Sequence, residues 1–130
     1  MIYVSRRGYA PAPVEADVSL PKNSPVGIDP ATGYARGFTA GDLFAGFSSS
    51  QIDSTGYADG DLNIGLQGGS VVIPVTSAVA TDIGSAVYST AAGVYDLTST
   101  TATLVGVLES CLSPYSADGC LVSIKTYREL

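Results

Sequence analysis

Apolar and polar residues alternate with a period of two along much of this chain of 130 residues. Val14, Ala16, Val18 and Leu20 alternate with Glu15, Asp17 and Ser19, which gives an extended segment one apolar face. Val26-Gly27-Ile28-Asp29, the turn Pro30-Ala31-Thr32-Gly33, and a returning segment from Tyr34 to Thr39 predict a hairpin. Leu43-Phe44-Ala45-Gly46-Phe47 reads as a further apolar strand. Residues 48–60 read as a long polar loop. Leu62-Asn63-Ile64-Gly65-Leu66 alternates again and leads through Gln67-Gly68-Gly69-Ser70, a hairpin turn by its glycines, into Val71-Val72-Ile73-Pro74-Val75. Pro74 cannot donate to a ladder, so it puts that strand at an edge or bulge.

The second half repeats the pattern. Ala86-Val87-Tyr88-Ser89, the turn Thr90-Ala91-Ala92-Gly93, and Val94-Tyr95-Asp96-Leu97 form a second predicted hairpin. Thr103 to Glu109 and Leu121 to Tyr127 read as two closing strands. Thr76 to Ile83 is the one stretch that suits a short helix. Eight or more short strands at this spacing predict an all-β domain, a small β-sandwich or β-barrel-like fold (β-tulip or jelly-roll-like), with at most one short helix. The body spans residues 14–130 as one domain. Residues 1–13 read as an extended N-terminal arm: Pro11 and Pro13 favour extended backbone. Its apolar, aromatic start, with Ile2, Tyr3 and Val4, then Arg6, Arg7 and Tyr9, suits strand addition to its own sheet or a neighbour's. The expectation is that residues 1–9 order only against a neighbour.

Charge narrows the function classes. Only 14% of residues are charged, and six Lys and Arg face twelve Asp and Glu for a net −6. That balance opposes a phosphate backbone, so no nucleic-acid partner is expected. His is absent, which removes the usual base for Ser or Cys nucleophiles. Glycine-rich turns here join strand to strand, whereas anion capture uses a helix N-terminus after the turn. A surface so poor in charge favours burial in an oligomer or larger assembly. The longest uncharged run, Leu62 to Thr81, is broken by glycines and Pro74, so no membrane span is expected. The start of the chain has no apolar core of secretory length, which predicts synthesis in a cytoplasm as a soluble protein.

Few residues are candidates for chemistry. Asp59 and Asp61 could pair as acid and base, but Asp-Gly is a common turn dipeptide and nothing else in the chain supports such a site. Asp53, Asp59 and Asp61 are weak candidates for a Ca²⁺ loop that lacks an EF-hand's closing Glu. No metal site, cofactor or catalytic residue is expected. Cys111 and Cys120 flank a turn-rich segment and could face each other across a hairpin. A reducing cytoplasm favours two free thiols over a disulfide, and the alternative stays open.

Four stretches carry a resemblance: Thr81-Asp82-Ile83-Gly84, Val87-Tyr88, Gly93-Val94-Tyr95-Asp96-Leu97, and Leu104-Val105-Gly106-Val107. Together with the last strand they resemble the small capsid decoration (cement) proteins of tailed bacteriophages. Gly41-Asp42 through Phe47 fits more loosely. The resemblance implies a non-enzymatic β-rich domain on the outside of an icosahedral head. It further implies a homotrimer that clamps neighbouring major capsid protein subunits. The N-terminal arm and the Cys111–Cys120 loop depart from that pattern. Ile2, Tyr3, Val4, Arg6, Arg7 and Tyr9 are then the candidate partner contacts. The rival expectation is a carbohydrate-binding or adhesive β-sandwich of a phage fibre or surface protein, with Tyr9, Tyr34, Tyr57 and Tyr115 as stacking candidates.

Overall fold

The computed structural model describes residues 8–91, 93–98, 102–111 and 119–129. The protein is all-β, with two three-residue 3₁₀ turns, Ala80–Asp82 and Tyr127–Glu129. Sheet I has five antiparallel strands in the order β1 (Gly8–Pro13), β7 (Asn63–Gln67), β5 (Leu43–Ser48), β3 (Pro25–Ile28), β4 (Ala35–Gly37). Sheet II also has five: β10 (Val94–Asp96), β9 (Ala86–Ala91), β11 (Thr103–Ser110), β12 (Cys120–Ile124), β8 (Ser70–Ile73). A two-stranded ribbon, β2 (Ser19–Leu20) with β6 (Ile52–Asp53), is hydrogen-bonded into neither sheet.

The two sheets pack face to face through an apolar core. Phe38, Phe44 and Phe47 project from sheet I into Val87, Val105, Leu108, Val122 and Ile124 of sheet II. The three rings meet edge to face, at 5.9 Å for Phe38–Phe44 and 5.6 Å for Phe44–Phe47, an arrangement that suits the ring quadrupoles. Sheet I has a second core on its other face, built from smaller side chains: Val14, Val26, Ala35, Ala45, Ile64 and Leu66. Val18, Leu20 and Ile52 from the ribbon and its approach cover it. This is why β5 is buried from Phe44 to Ser48 on both sides, without the alternation of a half-buried strand. Sheet II keeps the alternation, as in β12.

The Val26–Phe38 hairpin forms as its turn chemistry predicts. Asp29 Oδ1 accepts the Ala31 amide at 2.9 Å, and the Asp29 carbonyl accepts the Gly33 amide at 2.7 Å. The hairpin of β9 and β10 also forms, and β8 is an edge strand that ends just before Pro74.

Four expectations need correction. Residues 14–20 do not form one strand: Asp17 takes a left-handed backbone (φ 58°), Val14 makes an isolated parallel bridge with Ala35, and Ser19–Leu20 pairs with β6 inside the loop expected at 48–60. Gln67–Ser70 is not a hairpin turn. It carries the chain from sheet I to sheet II, because β7 is already paired on both sides by β1 and β5. Gly8 and Tyr9 need no neighbour, since they pair with Gln67 and Leu66 of the same chain. The short helix expected over 76–83 shrinks to the turn at Ala80–Asp82.

Candidate functional site

The best-organised polar cluster joins β4 to the β4–β5 loop. Arg36 leaves β4 and donates twice to Asp42, from Nη2 to Oδ1 at 2.8 Å and from Nε to Oδ2 at 3.1 Å. Asp42 Oδ2 also accepts the Thr39 amide at 3.2 Å and the Thr39 hydroxyl at 3.1 Å. Its side chain is 1% exposed, and that of Arg36 is 31% exposed. Gly27 makes room, because a Cβ there would sit 2.6 Å from Asp42 Oδ2. Burial alone would raise the Asp42 pKa. The bonds from Arg36 and Thr39 outweigh it and hold the carboxyl below its usual range. The Arg36 guanidinium is held protonated by the same pair, with Asp29 at 3.4 Å and Glu15 at 4.0 Å. Each charge in this cluster faces an opposite charge, although Glu15 Oε2 is buried and makes no hydrogen bond. The arrangement locks the β4–β5 loop to the body of sheet I.

The sequence candidates are dispersed. Asp53 Oδ1 accepts the Thr55 amide at 2.9 Å, and hydrogen bonding from the Thr55 side chain, then from this amide, lowers its pKa. Asp59 Oδ1 accepts the Ala16 amide at 2.7 Å, and Asp61 Oδ2 the Ala58 amide at 3.0 Å. Each carboxylate closes a turn or pins a segment, and among the described residues no group of three His, Cys, Asp or Glu is placed to hold a metal. Ile2, Tyr3, Val4, Arg6, Arg7 and Tyr115 lie outside the described residues. Tyr9 places its backbone on β1. Tyr57 is exposed, whereas Tyr34 is half-buried against Gly60. Cys111 and Cys120 form a disulfide in the inter-sheet core, the alternative that the sequence left open beside two free thiols. The β11–β12 hairpin brings their Cα atoms to 4.6 Å, inside the range a bridge requires.

The outer face of sheet II is the open surface. Residues directly opposite one another in a ladder share a face. The register therefore sets Asp96, Tyr88 and Leu104 in one row. Ala86, Val107, Ser123 and Ser70 make a second row, and Leu121 and Val72 a third. Val72 and Val94 are 41% and 46% exposed on this sheet; Val79 and Ile83 flank the 3₁₀ turn at its end and are 56% and 53% exposed. The four resemblance-bearing stretches all fall on this half of the molecule, in that 3₁₀ turn, β9, β10 and β11. Sequence reading found the strands and missed the face. The signal was the alternation itself, whose outward positions carry Val and Leu where a solvated sheet carries charge.

Comparison with protein-family models, with curated proteins and with solved structures finds no match to this chain.

Proposed function

We propose that this protein is a capsid decoration protein, which binds the outside of a tailed-phage head and stabilises contacts between major capsid protein subunits. The observation that carries this reading is the outer face of sheet II. It is apolar and weakly charged, and it is built from the stretches that resemble cement proteins. A partner covering Leu104, Val107, Leu121 and Val72 removes apolar area from water, and each contact gains accordingly. A modest single affinity becomes a large effect on a shell, because the contact is repeated at every equivalent position. In this reading the protein acts as a homotrimer, without cofactor or catalysis, beside major capsid protein on the virion surface.

The test is co-sedimentation of the purified protein with expanded heads of a phage that encodes it. Saturable binding at a fixed ratio to the major capsid protein supports the reading. Absence of binding, together with a glycan-array signal, would replace it with the adhesive module.

A further inference from the structure

We infer that the Cys111–Cys120 bond is a redox lock: the fold brings the two thiols together without it, and oxidation then fixes the mouth of the β11–β12 hairpin. Cys111 directly follows β11 and Cys120 opens β12. Both strands are held on each side, β11 by β9 and β12, and β12 by β11 and β8. Cys120 itself lies opposite Ile73 of β8. The register supplies the meeting. Leu108 lies opposite Val122, and an extra residue at Glu109 shifts the ladder so that Ser110 lies opposite Leu121. The next pair in the shifted register is Cys111 with Cys120. Without the bulge, Ser110 would take the place of Cys111. Gly119 lets the chain arrive: its φ is 127°, and a Cβ there would lie 2.5 Å from the Ile73 carbonyl carbon.

None of these backbone pairings requires the bond. A reduced cysteine packs as a small apolar side chain, and both residues are buried in the core cluster with Ile73, Leu108 and Val122. The chain therefore folds as a dithiol under reducing conditions. The bond closes across a sequence separation of nine. Restraining the unfolded chain by a loop of that size favours folding by about 100-fold. Closure balances as thiol–disulfide exchange with a small disulfide such as oxidised glutathione. One cysteine thiolate attacks a glutathione sulfur and expels a glutathione thiolate; the second attacks the mixed disulfide and expels the other. The cysteines lose two protons and two electrons, and the glutathione disulfide is reduced to two thiols. Burial of both cysteines makes exchange in either direction wait on local opening of the hairpin mouth. Linkage makes the effect reciprocal: the factor by which the bond favours the fold equals the factor by which the fold favours the bond. Reduction loosens the hairpin mouth and its pairing with Ile73, and leaves the Arg36–Asp42 latch of sheet I in place. The inference rests on this register and not on a capsid role.

The test compares the full chain as the disulfide and as the dithiol held in dithiothreitol, with thiols counted by alkylation and mass spectrometry. The two forms should give the same far-ultraviolet circular dichroism in buffer. Urea titration should find the disulfide form about 100-fold more favourably folded than the dithiol. Cys111→Ala/Cys120→Ala should lose all response to the reductant. A dithiol form that is unfolded in buffer overturns the inference and makes the bond a condition of folding. Equal stability of the two forms overturns it as well, since the bond would then lock nothing. A second measurement equilibrates the chain with mixtures of reduced and oxidised glutathione, in buffer and in denaturing urea. The bond should form about 100-fold more favourably in buffer, by the same linkage. Equal formation in the two media would contradict the pre-alignment of the thiols. Hydrogen exchange of the dithiol form should rise at Ser110, Leu121 and Ile73 and stay unchanged in β3 and β5; a rise spread evenly over both sheets would contradict a local lock.

Discussion

Sheets I and II have five strands each, yet they use their outer faces differently. Sheet I buries both faces: large rings point at sheet II, and small aliphatics lie under the β2–β6 ribbon. Sheet II buries one face and leaves Val72 and Val94 in contact with solvent. The polar chemistry divides the same way. Sheet I holds the Arg36–Asp42 latch, which ties the β4–β5 loop to the body. Among the described residues, the open face of sheet II carries two carboxylates, Asp96 beside aliphatic residues and Tyr88, and Glu109, whose Oε1 accepts the Ser70 hydroxyl at 3.0 Å. One half of the molecule thus spends its apolar surface on its own stability. The other half has surface left for a partner.

The comparison can be broken most strongly at the shared core. Phe44→Ala removes the ring that touches both Phe38 and Phe47. It should cost about 3–5 kcal/mol of unfolding free energy in urea titration, as large-to-small aromatic changes do. A loss under 1 kcal/mol would mean the sheets are not held together here.

Asp42→Ala comes next. It strands Arg36 and unties Thr39, and should cost about 2–3 kcal/mol, less than a fully buried pair because Arg36 reaches solvent. The same latch sets an acid limit. The folded carboxyl titrates below the ordinary value of 3.8, so its contribution is whole above that value and is lost as pH falls through the lower, folded one. An unfolding titration from pH 6 to pH 2 should show this slope in the native protein and lose much of it in Asp42→Asn.

Sheet II should fail at the other end of the scale. Tyr95 lies in the inter-sheet core, and burial pushes its phenol from 10.0 up to about 12. The phenol is neutral when folded, so its contribution is present below pH 10 and is lost as pH rises toward 12. The loss should reach about 2 kcal/mol, and Tyr95→Phe should flatten it. Alkaline unfolding that is identical in the two proteins would contradict this burial.

How much of this was legible in the sequence depended on how local the cause was. The Val26–Phe38 and β9–β10 hairpins were readable because Asp29, Gly33 and Gly93 act within a few residues. The Gly68-Gly69 crossover was not. Two glycines make the same tight bend whether the next strand returns or changes sheet, and the deciding fact is that β1 already occupies the edge of β7. The Val14–Leu20 alternation was real, but its residues serve as a cover for sheet I and not as a strand. The latch escaped because Arg36 and Asp42 look like ordinary turn and strand charges until Gly27 is seen to clear space between them. The Cys111–Cys120 pairing was readable as a possibility but stayed open, because the redox argument concerned a compartment, whereas the approach of the Cα atoms to 4.6 Å is set by the pairing of β11 with β12.

The smallest change in stability should carry the largest change in binding. Val107→Lys and Val94→Lys place charge on the outer face of sheet II, and each should move unfolding free energy by about 0.5 kcal/mol or less. Co-sedimentation with expanded phage heads then tests the central claim most directly. The native protein and a Tyr57→Lys control, altered in an exposed loop away from sheet II, should saturate the heads equally, while the two sheet II variants stay in the supernatant. Equal binding by all four proteins, or by none, would contradict the account.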